Sequence, residues 1–148
     1  MASTVVTPIA DKLKATMEGL TLAPALKVYR WAPKALSGPG PFAVIELPDI
    51  KRGNLLDAET ELGRRDWALE FPVVFYFDLV TADVAQGRAA EVAEAFIRAV
   101  DEAPDLGIPA LVEEARVTEA EVSYDIGQEG ARPMLVITTT VAVAAFVP

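Results

Sequence analysis

The chain has 148 residues, with 13 Lys and Arg against 22 Asp and Glu, and a formal net charge of −9. Hydrophobic residues make up 52% of it, which excludes a disordered chain, and its length predicts a single domain spanning residues 1–148. Because it contains no Cys and no His, it cannot use a catalytic thiolate or imidazole, a disulfide framework or a Cys/His zinc site.

The first predicted element is a helix that begins at Thr7, whose hydroxyl would cap it, with Pro8 at the first helical position. Gly19 is the predicted stop. One apolar face recurs at helical spacing: Ile9, Leu13, Met17 and Leu20. The residues before Thr7 contain neither a basic region nor a long apolar run, so we expect no targeting segment and synthesis in the cytoplasm.

Two short strands are predicted next, at Leu26–Trp31 and Phe42–Leu47, on either side of a loop rich in Gly and Pro. The segment 48–66 that follows is long and charged. Loops of this length are uncommon unless they bind or move, so we predict a protruding arm at 48–66 that serves binding or assembly. A plain hairpin loop with surface ion pairs is the alternative. The cations of this segment are Lys51, Arg52, Arg64 and Arg65.

The third strand, which starts at Trp67, has the clearest pattern in the chain. Its odd positions are all apolar, and period-two alternation places them on one buried face. They are Trp67, Leu69, Phe71, Val73, Phe75, Phe77 and Leu79. Pro72 cannot donate a hydrogen bond to a neighbouring strand, so we predict that this strand lies at a sheet edge or is bulged there.

A second helix is predicted at Ala82–Glu102, capped by Thr81. The fourth strand, near Ala115–Ile126, is apolar first at odd and then at even positions, which predicts a bulge near Thr118–Glu119. Beyond that bulge the outward face carries an acidic stripe that includes Glu119, Glu121 and Asp125.

The last predicted strand, Met134–Val147, follows a turn at Gly127–Gly130 and is apolar on both faces. Such strands are usually covered on both sides. Two helices cover one sheet face, so we expect another subunit to cover an apolar patch on the other face, at Val74, Tyr76 and Val80. A loop or the first helix is the alternative cover.

These elements predict an α+β fold: an antiparallel or mixed sheet of about five strands, two helices packed on one face, and the order α-β-β-β-α-β-β. No pattern predicts a catalytic, metal or cofactor site. Glu119 and Glu121 share a face, as carboxylates for acid–base chemistry or Mg²⁺ would. Because no His or Lys lies near them in sequence, a solvated acidic surface is the favoured interpretation.

Charge is distributed unevenly along the chain. Residues 101–148 contain two Lys or Arg against nine Asp or Glu, whereas residues 1–50 contain five against four. Contacts to phosphate require clustered cations, so an acidic final third argues against a nucleic-acid-binding domain. It is compatible with a surface that repels DNA, and also with solubility alone.

The order of elements resembles that of the tail terminator (tail completion) proteins of long-tailed bacteriophages, in which three antiparallel strands precede the second helix. Three parts of the sequence carry the resemblance. One is the pair Val28–Trp31 and Phe42–Ile45; the second is the aromatic strand Trp67–Phe77 with the alanine-rich helix Ala89–Phe96; the third is the apolar strand from Met134. Together they extend over nearly the whole chain.

The resemblance implies a non-enzymatic virion protein without cofactors, located at the head–tail junction. Such proteins form a ring, usually of six copies, on the head-proximal end of the tail tube. The ring stops tube polymerisation and joins the tail to a neck or head-completion protein, and DNA passes through its lumen without specific binding. No membrane is involved. In such a ring the lumen face would carry Glu119, Glu121 and Asp125. The contacts with a neighbouring subunit or with the tube would include Lys51, Arg52, Arg64, Arg65 and Tyr76.

The sequence is also compatible with two other classes of function. One is another tail or neck protein, such as a tube subunit, which would assemble into open-ended tubes, or a head-completion protein. The other is a small oligomeric α+β ligand-binding or enzyme domain, for which a pocket converging on Arg116, Glu119 and Glu121 would be the expected feature.

Overall fold

The computed structural model describes residues 5–20, 26–31, 33, 41–52, 65–78, 82–125 and 133–147. Within them it contains two helices and six strands, and the α+β class is confirmed. The elements in chain order are α1 (Val6–Glu18), β1 (Lys27–Arg30), β2 (Phe42–Ile45), β3 (Asp49–Arg52), β4 (Arg65–Asp78), α2 (Ala82–Glu102), β5 (Val112–Asp125) and β6 (Met134–Val147).

The six strands form one mixed sheet in the spatial order β1-β2-β4-β6-β5, with β3 also paired to β4. The sheet has one strand more than the five predicted, because residues 49–52 of the predicted arm form β3. Residues 65–66 of the predicted arm begin β4, and residues 53–64 lie outside the described residues. The expectation of three antiparallel strands before α2 is wrong, since β1 and β2 are parallel. Parallel strands need a long connection, because the chain must return to the end at which the first strand began. A tight hairpin can join only antiparallel strands.

Pro72 lies in the central strand β4, whose pairing with β6 has no register shift, so neither the predicted edge location nor the predicted bulge in this strand is correct. The interruption lies in the neighbouring strands instead. β2 pairs with β4 as far as Ile45 opposite Val73, and β3 resumes at Asp49 opposite Glu70. Between them the Glu46 amide donates to the Pro72 carbonyl oxygen at 2.9 Å. The missing N–H of proline therefore faces a break between β2 and β3, where no ladder bond is lost.

α1 begins at Val6 and not at Thr7, and no side chain caps it. Val5 occupies the cap position and is 4% exposed, so apolar anchoring takes the place of a capping hydroxyl. Pro8 therefore lies inside the first turn, where its missing N–H costs little. Gly19 ends the helix as predicted, with its amide bonded to the Ala15 carbonyl at 3.0 Å. α2 has the predicted bounds, and Thr81 lies outside the described residues.

Both helices pack on the same face of the sheet, and one hydrophobic cluster joins them to it. The odd positions of β4 between Leu69 and Phe77 are buried in this cluster, which confirms the predicted alternation. Phe75 meets Phe96 of α2 edge to face, with ring centroids 5.3 Å apart. α1 packs chiefly over β1 and α2 chiefly over β5, so each helix covers one side of the sheet.

The predicted bulge in β5 is confirmed: the pairing with β6 shifts register between Val117 and Glu119, and a second shift separates Val112 from Glu114. β6 has the predicted bounds Met134–Val147. The turn predicted at 127–130 lies outside the described residues.

Candidate functional site

The sheet has one face covered by α1 and α2 and a second face that the helices leave free, called here the open face. Because side chains alternate along a strand, the open face carries the positions between the core residues. On β5 these include Glu119, opposite Thr140, and Glu121, opposite Thr138. Both carboxylates are exposed, and neither forms an ion pair within the part of the chain that the structure describes.

The acidic stripe predicted on β5 is thus present at two of its three positions. Asp125 ends the strand opposite Met134, and its side chain lies outside the described residues. Arg116, before the bulge, lies opposite Ala142 on the same open face. These two adjacent carboxylates, neither of them in an ion pair among the described residues, form a negative edge on the open face.

A shallow depression of about 190 Å³ lies on the open face near Arg116, but it does not bring together the residues expected of an enzyme pocket. Its floor consists of alanines of β4 and β6, with Glu70, Glu114 and Arg116 at its sides. Glu119 and Glu121 do not line it. Nor does any group of acidic side chains within the described ranges have the arrangement of a metal site.

Of the residues predicted to contact a neighbouring subunit or the tube, Lys51 and Tyr76 have described side chains, and these two lie far apart along the sheet, Lys51 opposite Ala68 and Tyr76 near the end of β4. Lys51, on β3, pairs with Glu70 across the strands at 3.4 Å, where the Lys51 side chain is 66% exposed and the Glu70 side chain 43%. Arg52 lies in β3 and Arg65 in β4, but their side chains are outside the described part of the structure. Arg64 is wholly outside it. Tyr76 is half-buried at the other end of β4 from Arg65.

The apolar patch expected around Tyr76 is largely closed within the chain itself. Val74 is only 6% exposed, and Phe42 and Val44 beside it on β2 are buried as well. Tyr29 of β1 packs near Phe42, with ring centroids 6.3 Å apart. Val80 lies outside the described residues.

Exposed apolar side chains occur elsewhere among the described residues, and two of them lie on β5 after its bulge. Val122 is 58% exposed and Tyr124 54%, although both lie on the face that α2 covers farther back along the strand. Tyr124 accepts a hydrogen bond from the Gln86 side chain of α2 at 3.2 Å. The other large exposed apolar side chains are Leu47 and Ile50, around the break between β2 and β3. Alternation identified this β5 face as apolar, but no sequence signal shows where the helix ceases to cover it.

The opposite end of the sheet is cationic, which sequence reasoning missed. β1 has the sequence Lys-Val-Tyr-Arg, with two cations and no acid in four residues. The Lys27 ammonium lies over the Phe42 ring, 5.5 Å from its centroid, and Arg30 forms an ion pair with Asp11 of α1. Residues 119–125 of β5 contain three acids and no cation. The two outermost strands of the sheet therefore carry opposite charge.

No protein-family model matches the chain, and no curated protein matches it significantly in sequence. Its fold is similar to that of a solved chain from the virion of a native gene transfer agent particle. That similarity has a TM-score of 0.64 at 14% sequence identity, and it covers 97% of this chain and 99% of the other. The two chains therefore share a fold over their whole lengths. Neither described helix is long and apolar enough to cross a membrane.

Proposed function

We propose that this chain is a non-enzymatic structural protein of a tailed phage or phage-like virion, and specifically a tail terminator. In this role it forms a closed ring, of six copies as is usual for such proteins, on the head-proximal end of the tail tube. The ring ends tube polymerisation below and meets a neck or head-completion protein above, at the head–tail junction. The observation that carries the proposal is the whole-length fold similarity to a virion chain.

The architecture suits a ring-forming subunit. The sheet ends in two strands of opposite charge, and exposed apolar side chains lie on one of them. Contacts between two different surfaces of the same protein generate rings when the rotation closes. A chain that exposes Val122 and Tyr124 on an outermost strand has apolar surface to bury in such a contact.

The open face suits the lumen of that ring. Glu119 and Glu121, with Asp125 at the end of the same strand, would repeat around the lumen in every subunit. Repeated carboxylates repel the phosphates of passing DNA, so that the duplex slides without being held. The cations of the predicted arm would then reach a neighbouring subunit or the tube below: Lys51, Arg52, Arg64 and Arg65.

The first test is the native mass of the purified protein, measured together with negative-stain images of the same sample. A closed ring with a central hole is the expected result, and its addition to a growing tail tube should end elongation. Long open tubes would identify a tube subunit instead. A monomer or dimer that also fails to cap tubes would overturn the proposal and favour the ligand-binding or enzyme alternative.

A second test addresses the lumen. Replacing Glu119 and Asp125 with Lys should raise the affinity of the ring for duplex DNA, because the added cations converge in one channel. The matched control reverses the same number of charges on the exposed side of α2, at Glu91 and Glu94. A larger gain from the control pair would place the acidic stripe outside the lumen.

A third test addresses the arm. Reversing the charge of Arg64 and Arg65 together should weaken capping or ring formation while the protomer keeps its melting temperature. A loss of folding would instead show that these residues support the protomer.

A further inference from the structure

The two ends of the sheet each leave a backbone edge without a partner strand. Among the described residues β1 pairs only with β2, and β5 pairs only with β6. An unpaired edge presents a row of free N–H and C=O groups that can accept another strand. The described strands therefore offer edges on both sides of the sheet, β5 on one side and β1, together with β3, on the other.

The directions of the strands allow these edges to join. β1 runs parallel to β2, and each later neighbour along β2-β4-β6-β5 is antiparallel to the one before it. β1 consequently runs opposite to β5. A second copy placed beside the first in the same orientation would bring its β1 alongside β5 as an antiparallel strand, with both helical faces on the same side.

If the second copy is placed beside the first without a shift along the strand direction, the residues of β1 and β5 that share a row of the sheet lie opposite each other. Continuous rows of paired residues can be followed across the sheet from β1 to β5. One row on the helix side is Val28, Ala43, Phe75, Ile137 and Val122. The next row, on the open face, is Lys27, Phe42, Tyr76, Val136 and Ser123. A third row, also on the open face, begins at Tyr29 and ends at Glu121.

The side chains at these levels are complementary on both faces. On the helix side Val28 of one copy would lie beside the exposed Val122 of the other. On the open face the exposed Lys27 would lie beside Ser123 and diagonally from Glu121, a distance that a lysine side chain spans. The contact therefore places Val28 against Val122 on the helix side and Lys27 near Glu121 on the open face. Arg30, which is paired with Asp11 of its own chain, lies in the row of the small Ala120.

We propose that β1 of one copy pairs in an antiparallel manner with the part of β5 after the bulge in the next copy, so that the sheet continues from subunit to subunit. This proposal rests on the ring proposed above and specifies its contact. All subunits then present their open faces to the same side. It also accounts for the length of β5, whose residues 119–124 extend into solvent on both faces within one chain.

The test uses engineered cysteines, which the chain allows because it has none of its own. Cα atoms of directly paired residues on neighbouring strands are about 4.5–5.5 Å apart, within the range that a disulfide spans. The variant Lys27→Cys/Ser123→Cys, both positions being exposed, should form a ladder of dimers, trimers and higher species under mild oxidation. Reduction should dissolve the ladder.

The controls identify other arrangements. Each single variant should stay monomeric on a denaturing gel, and a dimer of Ser123→Cys alone would indicate that two β5 edges pair with each other. A ladder from Lys51→Cys/Ser123→Cys, without one from the first pair, would place β5 beside β3. Either result would overturn the proposed contact.

A measurement of native mass distinguishes failure of the proposed contact from failure of the terminator role on which it rests. A closed ring in which Lys27→Cys/Ser123→Cys gives no ladder overturns the contact and leaves the terminator role standing. Absence of both ring and ladder, in a protein that also fails to cap tail tubes, overturns both. As an independent readout, Lys27→Glu should shift the ring toward monomer, and adding Glu121→Lys should restore it. Failure of the double exchange to restore a ring lost in Lys27→Glu would also count against the contact.

Discussion

The two halves of β5 follow the same alternating pattern but have opposite environments. Before the bulge, Val112 and Ala115 are 1% and 2% exposed, sealed beneath α2 and the connection that leaves it. After the bulge, Ala120 is exposed, and Val122 and Tyr124 remain more than half exposed on the same face. Apolar alternation therefore shows which side of a strand avoids water, but not whether the same chain supplies the cover.

The difference arises from the reach of one helix. α2 packs against β5, yet the hydrogen bond from Gln86 to Tyr124 is an exposed contact near the start of the helix, where the core has already ended. The half after the bulge is held by β6 and by its own backbone pairing. This half has the apolar pattern of a core strand but lies exposed at the edge of the sheet, which is typical of a surface that a partner covers.

The largest expected effect comes from placing the same charge in both halves. Ala115→Asp should lower the free energy of unfolding by about 3 kcal/mol or more, because an unpaired carboxylate would be buried. Ala120→Asp should cost less than about 1 kcal/mol, since only strand propensity is lost. Urea denaturation at low protein concentration measures both with little contribution from subunit contacts. Equal losses would show that the second half is covered.

The first half of β5 is buried beneath α2 and the segment that connects α2 to β5. Each of these two contains one glycine that can be substituted. Gly107 has φ +75°, and Gly107→Ala should destabilise the protein by about 1–2 kcal/mol because side chains disfavour that conformation. Gly87 lies within α2 with open space around it, and Gly87→Ala should stabilise the protein by about 0.5–1 kcal/mol. Thermal melts of the two variants should shift in opposite directions. Melting temperatures that both rise or both fall would show that the two glycines do not differ in backbone strain.

Two adjacent threonines of β6 compare the covered face with the open face. The Thr139 hydroxyl is fully buried and donates to the Val73 carbonyl oxygen at 2.7 Å. Thr139→Val should therefore cost about 1 kcal/mol. Thr138→Val, on the exposed open face, should stay within about 0.5 kcal/mol of the parent. If Thr138→Val were the more costly in chemical denaturation, the open face would not be solvent-exposed.

The smallest effect is expected at the end of β5. Tyr124→Phe removes the hydroxyl bonded to Gln86 but leaves the ring. Exposed hydrogen bonds contribute little, so the free energy of unfolding should change by less than about 0.5 kcal/mol. A loss above about 1 kcal/mol would mean that α2 holds this half of the strand after all.

Much of the fold could be predicted because it depends on local pattern. The bounds of α2 and β6, the buried face of β4 and the bulge after Val117 all follow from spacing that can be read along a single segment. The parallel pairing of β1 and β2 could not be predicted in this way, since it depends on how a connection crosses in space. The strand β3 lies in a charged segment whose residues have a low propensity for strands, and it forms because it pairs with β4.

For the candidate site, too, some features follow from local sequence pattern and others only from tertiary contacts. Composition and alternation sufficed to exclude Cys and His chemistry and to place Glu119 and Glu121 on one face, because residue type and side-chain period are properties of the chain itself. Tertiary structure alone closed the surface around Val74, exposed Val122, and aligned the cationic β1 with the acidic end of β5 on opposite sides of one sheet. Burial and strand order arise from contacts between distant segments, and such contacts have no local signature.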